Sequence, residues 1–282
     1  MFAFLSLLFV FSVGFVQALP AISRRDVPQG LLTQLEYLAE YSAASYCPEN
    51  NLPGSSTQVT CSAGNCPLVQ AAGATTLVEF QNVGPVDGTG FVAVDHSRQL
   101  IVLSFRGSRS LGNWITNLNI VQKPFPACAG CTVHSGFYDT WKFVKSQVVG
   151  VLATAVKQWP TYRVIATGHS LGGAVATIAA GDLRKDGYTV DLYSYGAPMT
   201  GNLFFVNYVS SRGNNYRVTH AEDLVPKLPG YALGFAHVSN EYWITSPTGA
   251  AVTSADIKVS SGAYNLKGNK GTLGLSADDH QW

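Results

Sequence analysis

The stretch Tyr162-Arg163-Val164-Ile165-Ala166-Thr167-Gly168-His169-Ser170-Leu171-Gly172-Gly173 carries an apolar strand into Gly-x-Ser-x-Gly and out into an alanine-rich segment. A strand that turns within one residue into a helix presents that residue at the carboxyl edge of a sheet. Glycine is needed on both sides, because a side chain at either place would meet the neighbouring strand or helix. Val164, Ile165 and Ala166 supply a buried-strand run. Leu171, Ala174, Val175, Ile178 and Ala179 recur at helical spacing, with no proline before Gly187. Ser170 is the candidate nucleophile.

The rest of the chain fits around this elbow. Apolar residues at Leu31, Leu32, Leu35, Leu38 and Ala39 predict a core-packing helix over 31–46, followed by a Pro/Gly/Ser/Asn-rich loop at 48–67. Strands are expected at 76–80, at 90–95 and at Leu100–Phe105, the last an almost unbroken apolar run suited to the middle of a sheet. A long helix over 137–159 precedes the elbow strand. A strand at Val190–Tyr195, a helix near 202–210 and a strand at 216–220 follow the elbow helix. Such alternation predicts the α/β class, a mainly parallel sheet with helices on both faces. At 282 residues and 46% hydrophobic content the chain can bury one full core, and no break in composition divides it.

The apolar run 2–16, with Val16-Gln17-Ala18 offering small-residue cleavage chemistry, reads as a secretory leader over 1–18, although no basic residue precedes it. It is too short for a comfortable membrane span, so a permanent anchor is not expected. Arg24-Arg25 marks a dibasic end to a short pro-segment at 19–25, leaving one domain over 26–282. Without those two arginines the chain has 16 basic and 17 acidic side chains, a near-neutral balance that argues against nucleic-acid binding. No Asn-x-Ser/Thr sequence occurs, so N-glycosylation is not expected. In an exported chain the close pairs Cys61/Cys66 and Cys128/Cys131 read as small-loop disulfides, with Cys47 left over. Cys128-x-x-Cys131 has no second ligand pair at zinc spacing, and neither metal nor cofactor is expected. The oligomeric state stays open, a monomer being favoured.

A serine hydroxyl attacks at neutral pH only when a histidine takes its proton, and that histidine needs a carboxylate to hold its tautomer. At a strand-to-helix elbow of this kind the chain order is serine, acid, histidine, which removes His96, His134 and His169. Asp223 stands just past a strand ending at His220, at the sheet edge where ligands gather. Glu222 beside it has the right chemistry, and Asp191 opens a strand and so faces the other edge. His237 and His280 remain for the base, with the late, loop-borne His280 favoured by spacing. Of the two oxyanion donors, one is the N–H of Leu171. The other lies in the loop Arg106-Gly107-Ser108-Arg109, at Ser108, with its hydroxyl as a further candidate.

Leu111, Trp114, Ile115 and Leu118 then fall at i, i+3, i+4 and i+7, one apolar helical face opposite Asn113, Thr116, Asn117 and Asn119. Periodicity alone favours an ordinary core-packing helix. Its place beside the oxyanion loop suggests a lid, covering an apolar cleft in water and turning toward lipid at an interface.

These residues closely resemble those of the secreted filamentous-fungal class 3 lipases, of the Thermomyces and Rhizomucor type, over 35–282. The likeness rests on Tyr41-Ser42-Ala43-Ala44-Ser45-Tyr46-Cys47, on Leu103-Ser104-Phe105-Arg106-Gly107-Ser108-Arg109-Ser110 with Asn113-Trp114, and on Gly168-His169-Ser170-Leu171-Gly172-Gly173. It rests further on Ser194-Tyr195-Gly196-Ala197-Pro198 and on Thr219-His220 through Asp223 to Pro226-Lys227-Leu228-Pro229. The resemblance implies an α/β-hydrolase fold, a Ser170, Asp223 and His280 triad, an oxyanion hole at Ser108 and Leu171, and a lid over 111–118. It also implies Tyr46 at the acyl site and acylglycerol substrates met at a lipid-water interface, outside the cell. Feruloyl esterases of the same family have a polar lid without the tryptophan, and they are the enzymatic alternative. A catalytically dead lipid-binding protein is the alternative of another class. In relatives a cysteine beyond the catalytic histidine pairs with the position of Cys47; none follows His280 here, so Cys47 is expected to lack a partner.

Overall fold

The computed structural model describes residues 26–54, 56–116 and 118–281; the leader at 1–18 and the pro-segment at 19–25 lie outside them. Helices α1 (Gln29–Ala44) and α2 (Pro67–Ala71) precede three strands, β1 (Thr75–Val83), β2 (Gly88–Asp95) and β3 (Leu100–Phe105). A short helix α3 (Leu111–Thr116) and an antiparallel pair, β4 (Gln122–Pro124) with β5 (Thr132–His134), lead into the long helix α4 (Ser135–Gln158). Strand and helix then alternate through β6 (Arg163–His169), α5 (Leu171–Lys185), β7 (Val190–Tyr195), α6 (Leu203–Ser210) and β8 (Asn215–His220), followed by β9 (Glu241–Ile244) and β10 (Ile257–Ser260). The main sheet runs β1-β2-β3-β6-β7-β8-β9-β10. Neighbours from β3 to β9 are parallel, and the outer pairs at both ends are antiparallel.

A parallel sheet must be covered on both faces, and the strand sequences show how. All of β3 is buried; Ile101, Leu103 and Phe105 face one core, Leu100 and Val102 the other. The first core holds α4 and α5, with Trp141, Val148 and Leu152 of α4 fully buried against Ala174, Ile178 and Ala179. Trp141 donates its indole N–H to Asp182 at 2.7 Å, and Lys145 bridges Asp182 and Asp186 at 2.8 Å each. The second core receives α1 through Leu35, Leu38 and Tyr41. Every residue of 171–184 is buried, because the alanines and glycines of α5 let it sit close on the sheet centre. Among the described residues no helix is long and apolar enough to cross a membrane.

The central elements match the sequence expectation within a few residues, and the differences lie at the periphery. The pair β4 and β5, the short α2, and β9 and β10 carry no legible pattern. In β9 the reason is chemical: Glu241 looks like a solvent residue but is buried, because Arg217 of β8 reaches it at 3.2 Å and Thr219 donates to it at 2.8 Å.

The expected Cys61–Cys66 bridge is not formed. Cys61 pairs with Cys47, Cα to Cα 5.4 Å, and Cys66 is a buried free thiol. The reason is Asn50, whose amide donates to the carbonyls of Ala44 and Thr60 at 2.8 Å each and accepts from the Thr60 N–H at 3.0 Å. These bonds fasten the end of α1 beside Cys61, whereas Cys66 is committed as the N-cap residue of α2. Cys47 therefore has a partner, against the expectation drawn from the resemblance. Cys128 and Cys131 are joined, as their spacing suggests.

Candidate active site

Between β6 and α5 a single residue makes the turn. Ser170 has φ 58° and ψ −131°, a left-handed backbone that a residue with a Cβ adopts only at a cost of about 1–3 kcal/mol. The two glycines are required by close approach. A side chain on Gly168 would collide with the backbone of Gly172 and Gly173, and one on Gly172 with the backbone of Phe105 and Arg106. The Ser170 N–H donates to the Tyr195 carbonyl at 2.8 Å, so β7 holds the elbow in place.

The Ser170 hydroxyl donates to Nε2 of His280 at 2.8 Å, and Nδ1 of His280 donates to the Asp223 carboxylate at 2.9 Å. Asp223 follows β8 at the carboxyl edge of the sheet and is fully buried. Its second oxygen accepts from the Val225 N–H at 2.8 Å, and the buried Asn269 amide donates to its backbone carbonyl at 2.9 Å. Burial raises the Asp223 carboxyl and lowers the His280 imidazole, to about 4. The ring is therefore neutral at rest, its one proton held on Nδ1 by the carboxylate and Nε2 open as the acceptor. Gly196, at φ 54°, leaves the room this pair needs. A Cβ there would stand 3.0 Å from Asp223 and 3.1 Å from the His280 ring.

The other candidates are engaged elsewhere. Glu222 is exposed and accepts from the Gly274 N–H at 3.2 Å. Asp191 lies at the far edge, bound to Arg163. His237 is buried and donates to the Pro226 carbonyl at 2.6 Å.

His169 belongs to the site although sequence order sets it aside. Its Nε2 donates to the backbone carbonyl of His280 at 2.9 Å, which fixes the proton there and makes Nδ1 the acceptor for the Tyr46 hydroxyl, also at 2.9 Å. Burial first, and the neighbouring His280 ring second, lower His169 to about 3, so it stays neutral. The two histidine rings lie 4.5 Å apart. Its sequence signals are adjacency to Ser170 and its place in the motif Gly168-His169-Ser170-Leu171-Gly172-Gly173.

The loop Arg106-Gly107-Ser108-Arg109 packs directly onto Ser170, since a side chain on Gly107 would collide with the Tyr46 hydroxyl and come within 2.9 Å of the Ser170 Cβ. Leu171 opens α5, and its N–H belongs to the first helical turn, which has no intrahelical acceptor. The Ser108 hydroxyl donates to the Ser110 carbonyl at 3.2 Å, turned along its own loop. A cavity of about 730 Å³ opens over Ser170 and His280 and is lined also by Ser108, Leu111, Tyr46 and Ala43.

The apolar segment 111–118 is shorter as a helix than its periodicity predicts. α3 covers Leu111–Thr116, and Leu118 lies beyond it, packed on the main core. The Thr116 hydroxyl bonds back to the Gly112 carbonyl at 2.8 Å, and Asn119 closes a turn on the Val121 N–H at 2.9 Å; both compete with continuing the helix. Leu111 and Ile115 are half-buried, and the side chain of Trp114 lies outside what is described.

Comparison with known proteins places the chain in a family. A family model described as lipase (class 3) matches residues 102–232, and another described as the lipase 3 N-terminal region matches 4–78. The chain is 43% identical over 271 residues to the secreted mono- and diacylglycerol lipase A of Penicillium camembertii, covering 95% of this chain and 88% of that protein. It is 44% identical over 252 residues to the secreted mono- and diacylglycerol lipase 1 of Fusarium solani, covering 88% and 74%. The crystal structure of a mono- and diacylglycerol lipase from Aspergillus oryzae superposes with a TM-score of 0.87 at 40% identity, over 90% of this chain and 97% of that one.

Proposed function

The chain belongs to the class 3 lipases, and from that premise we propose that it hydrolyses the ester bonds of acylglycerols through an acyl-enzyme on Ser170. It is a secreted serine ester hydrolase of the α/β-hydrolase fold. The assignment of residues is supported above all by one observation, the continuous chain of hydrogen bonds from the Ser170 hydroxyl through His280 to the buried Asp223.

In this mechanism Oγ of Ser170 attacks the ester carbonyl carbon while Nε2 of His280 takes the hydroxyl proton, and Asp223 steadies the imidazolium so formed. The carbonyl oxygen becomes an oxyanion, received by the N–H groups of Leu171 and Ser108. Each such donor is worth about 2.7–4 kcal/mol. The Ser108 hydroxyl joins them once it turns from Ser110. His280 then passes its proton to the glycerol oxygen as the carbon–oxygen bond breaks. Water, activated by the same nitrogen, frees the acid. Tyr46, beside the nucleophile, lines the acyl site. The segment 111–118, with Leu111, Trp114, Ile115 and Leu118, acts as the lid.

We assign 1–18 to a leader and 19–25 to a pro-segment that are removed, and 26–282 to one catalytic domain that acts as a monomer. Purified protein with Ser170→Ala must lose hydrolysis of emulsified acylglycerol; undiminished turnover overturns the assignment. Organophosphate labelling of Ser170 separates an enzyme from an inert lipid binder. A jump in rate as substrate passes its solubility limit separates a lipase from a soluble-ester esterase.

A further inference from the structure

Between Gly271 and Ala277 the usual rule of burial is inverted. Thr272, Gly274 and Ser276 are half-buried, while Leu273 and Leu275 alternate with them and stand in water, 99% and 74% exposed. This is not a loose loop. The buried Lys227 donates its ammonium to the Thr272 carbonyl at 3.2 Å, to the Thr272 hydroxyl at 2.6 Å and to the Gly274 carbonyl. Glu222 takes the Gly274 N–H at 3.2 Å through its side chain and the Ser276 N–H at 3.1 Å through its backbone carbonyl. The Leu224 N–H returns a bond to the Ser276 carbonyl at 3.1 Å, so the segment is stitched to the backbone on both sides of Asp223. Four residues after Ser276 comes His280, which lines the cavity with Gln281.

The polar atoms of Thr272, Gly274 and Ser276 are spent inward, and the apolar side chains of Leu273 and Leu275 between them point out. We infer that Leu273 and Leu275 form a fixed lipid-docking strap, which seats the cavity on an acylglycerol-water interface whatever the state of α3. The occupant follows from the neighbour, because the strap runs on to His280 and Gln281, which line a cavity whose acylglycerol substrate is held in an apolar phase. A fluid apolar phase asks only for exposed hydrocarbon. The inference rests on the ester-hydrolase reading of the adjoining cavity.

The test uses the full protein and the double substitution Leu273→Ser, Leu275→Ser, which touches no buried contact. Three readouts are needed: partition onto hexadecane droplets, hydrolysis of emulsified triolein, and hydrolysis of a dissolved short-chain ester. The expected result is a fall of about tenfold or more in droplet partition, from the hydrocarbon lost at the two sites. Emulsion turnover should fall with it, and the rate on dissolved ester should stay unchanged. Partition equal to that of the unsubstituted protein overturns the strap. So does a dimer of the unsubstituted protein that the double variant abolishes, since the leucines would then be covered by a second copy. Hydrolysis of the dissolved ester scores the cavity on its own: if the unsubstituted protein fails there, the catalytic reading falls, while the droplet measurement still decides the strap.

Discussion

His169 donates its Nε2 proton to the backbone carbonyl of His280 at 2.9 Å, so the residue before Ser170 holds the backbone of the histidine that accepts from the Ser170 hydroxyl. The bond ties β6 to a residue 111 positions later, and Tyr46, from a third part of the chain, donates to the other ring nitrogen of His169.

Replacing His169 by alanine leaves a buried carbonyl without its donor and loosens His280. The expected result is a loss of about ten- to a hundredfold in kcat, from about 1–3 kcal/mol of unsatisfied hydrogen bonding, with KM little changed. Tyr46→Phe should lose less, because it removes only the hydroxyl bonded to Nδ1 of His169 and leaves the bond to the His280 carbonyl in place. Steady-state kinetics on a dissolved ester decide both, and a change confined to KM would contradict this reading.

Ser170→Gly tests the strained elbow. Glycine adopts positive φ freely, so Ser170→Gly should be more stable than Ser170→Ala, which lacks the same hydroxyl, by about 1 kcal/mol, a Tm about 2–4 °C higher than that of the alanine variant for a chain of this size, while turnover falls in both by a factor on the order of 10⁴ or more. A Tm below that of the alanine variant would mean that no strain is stored there.

The acid limb of the pH profile follows from His280. Its ring must be neutral to accept the serine proton, so activity is present above its pKa and lost as pH falls through it. Burial lowers that pKa from the ordinary 6.5. The inflection in kcat/KM on a dissolved ester should therefore lie below pH 6.5, and an inflection above that value would show that the ring is not desolvated as described.

Glu241 and Arg217 form a buried ion pair, 1% and 5% exposed, and Glu241 also accepts from Thr219 and Asn265. Removing one partner strands the other charge, so Glu241→Ala should cost about 3–5 kcal/mol in chemical denaturation. Breaking the half-exposed Arg163–Asp191 pair with Arg163→Ala should cost about 1 kcal/mol or less.

Thiol counting checks the revised cysteine pairing. The folded protein should react slowly with a thiol reagent, and the unfolded, unreduced protein should yield one thiol, at Cys66. Peptide mapping should recover Cys47 joined to Cys61; a Cys61–Cys66 peptide would contradict the structure.

What could be read in advance followed steric and hydrophobic necessity. The elbow announces itself because Gly168 and Gly172 admit nothing larger, and β3 because a strand buried on both faces is apolar throughout. Asp223 was legible as an acid just past a strand at the carboxyl edge, and chain order then narrowed the bases to His237 and His280. Other features depend on single polar contacts across long separations, which leave no periodic trace. Asn50 decides which cysteine meets Cys61, Arg217 allows Glu241 to be interior, and His169 acts through a carbonyl that any residue type at 280 would also carry. The shortened α3 likewise turns on Thr116 and Asn119 bonding to nearby backbone.

His280 stands 110 positions after Ser170. A ribosome adding about 5–20 residues per second needs on the order of ten seconds to cover that distance. On the proposed mechanism the nascent chain carries Ser170 through that interval without the imidazole that activates it, so a partial product lacking residue 280 is expected to leave the lipids of the cell that is making it intact.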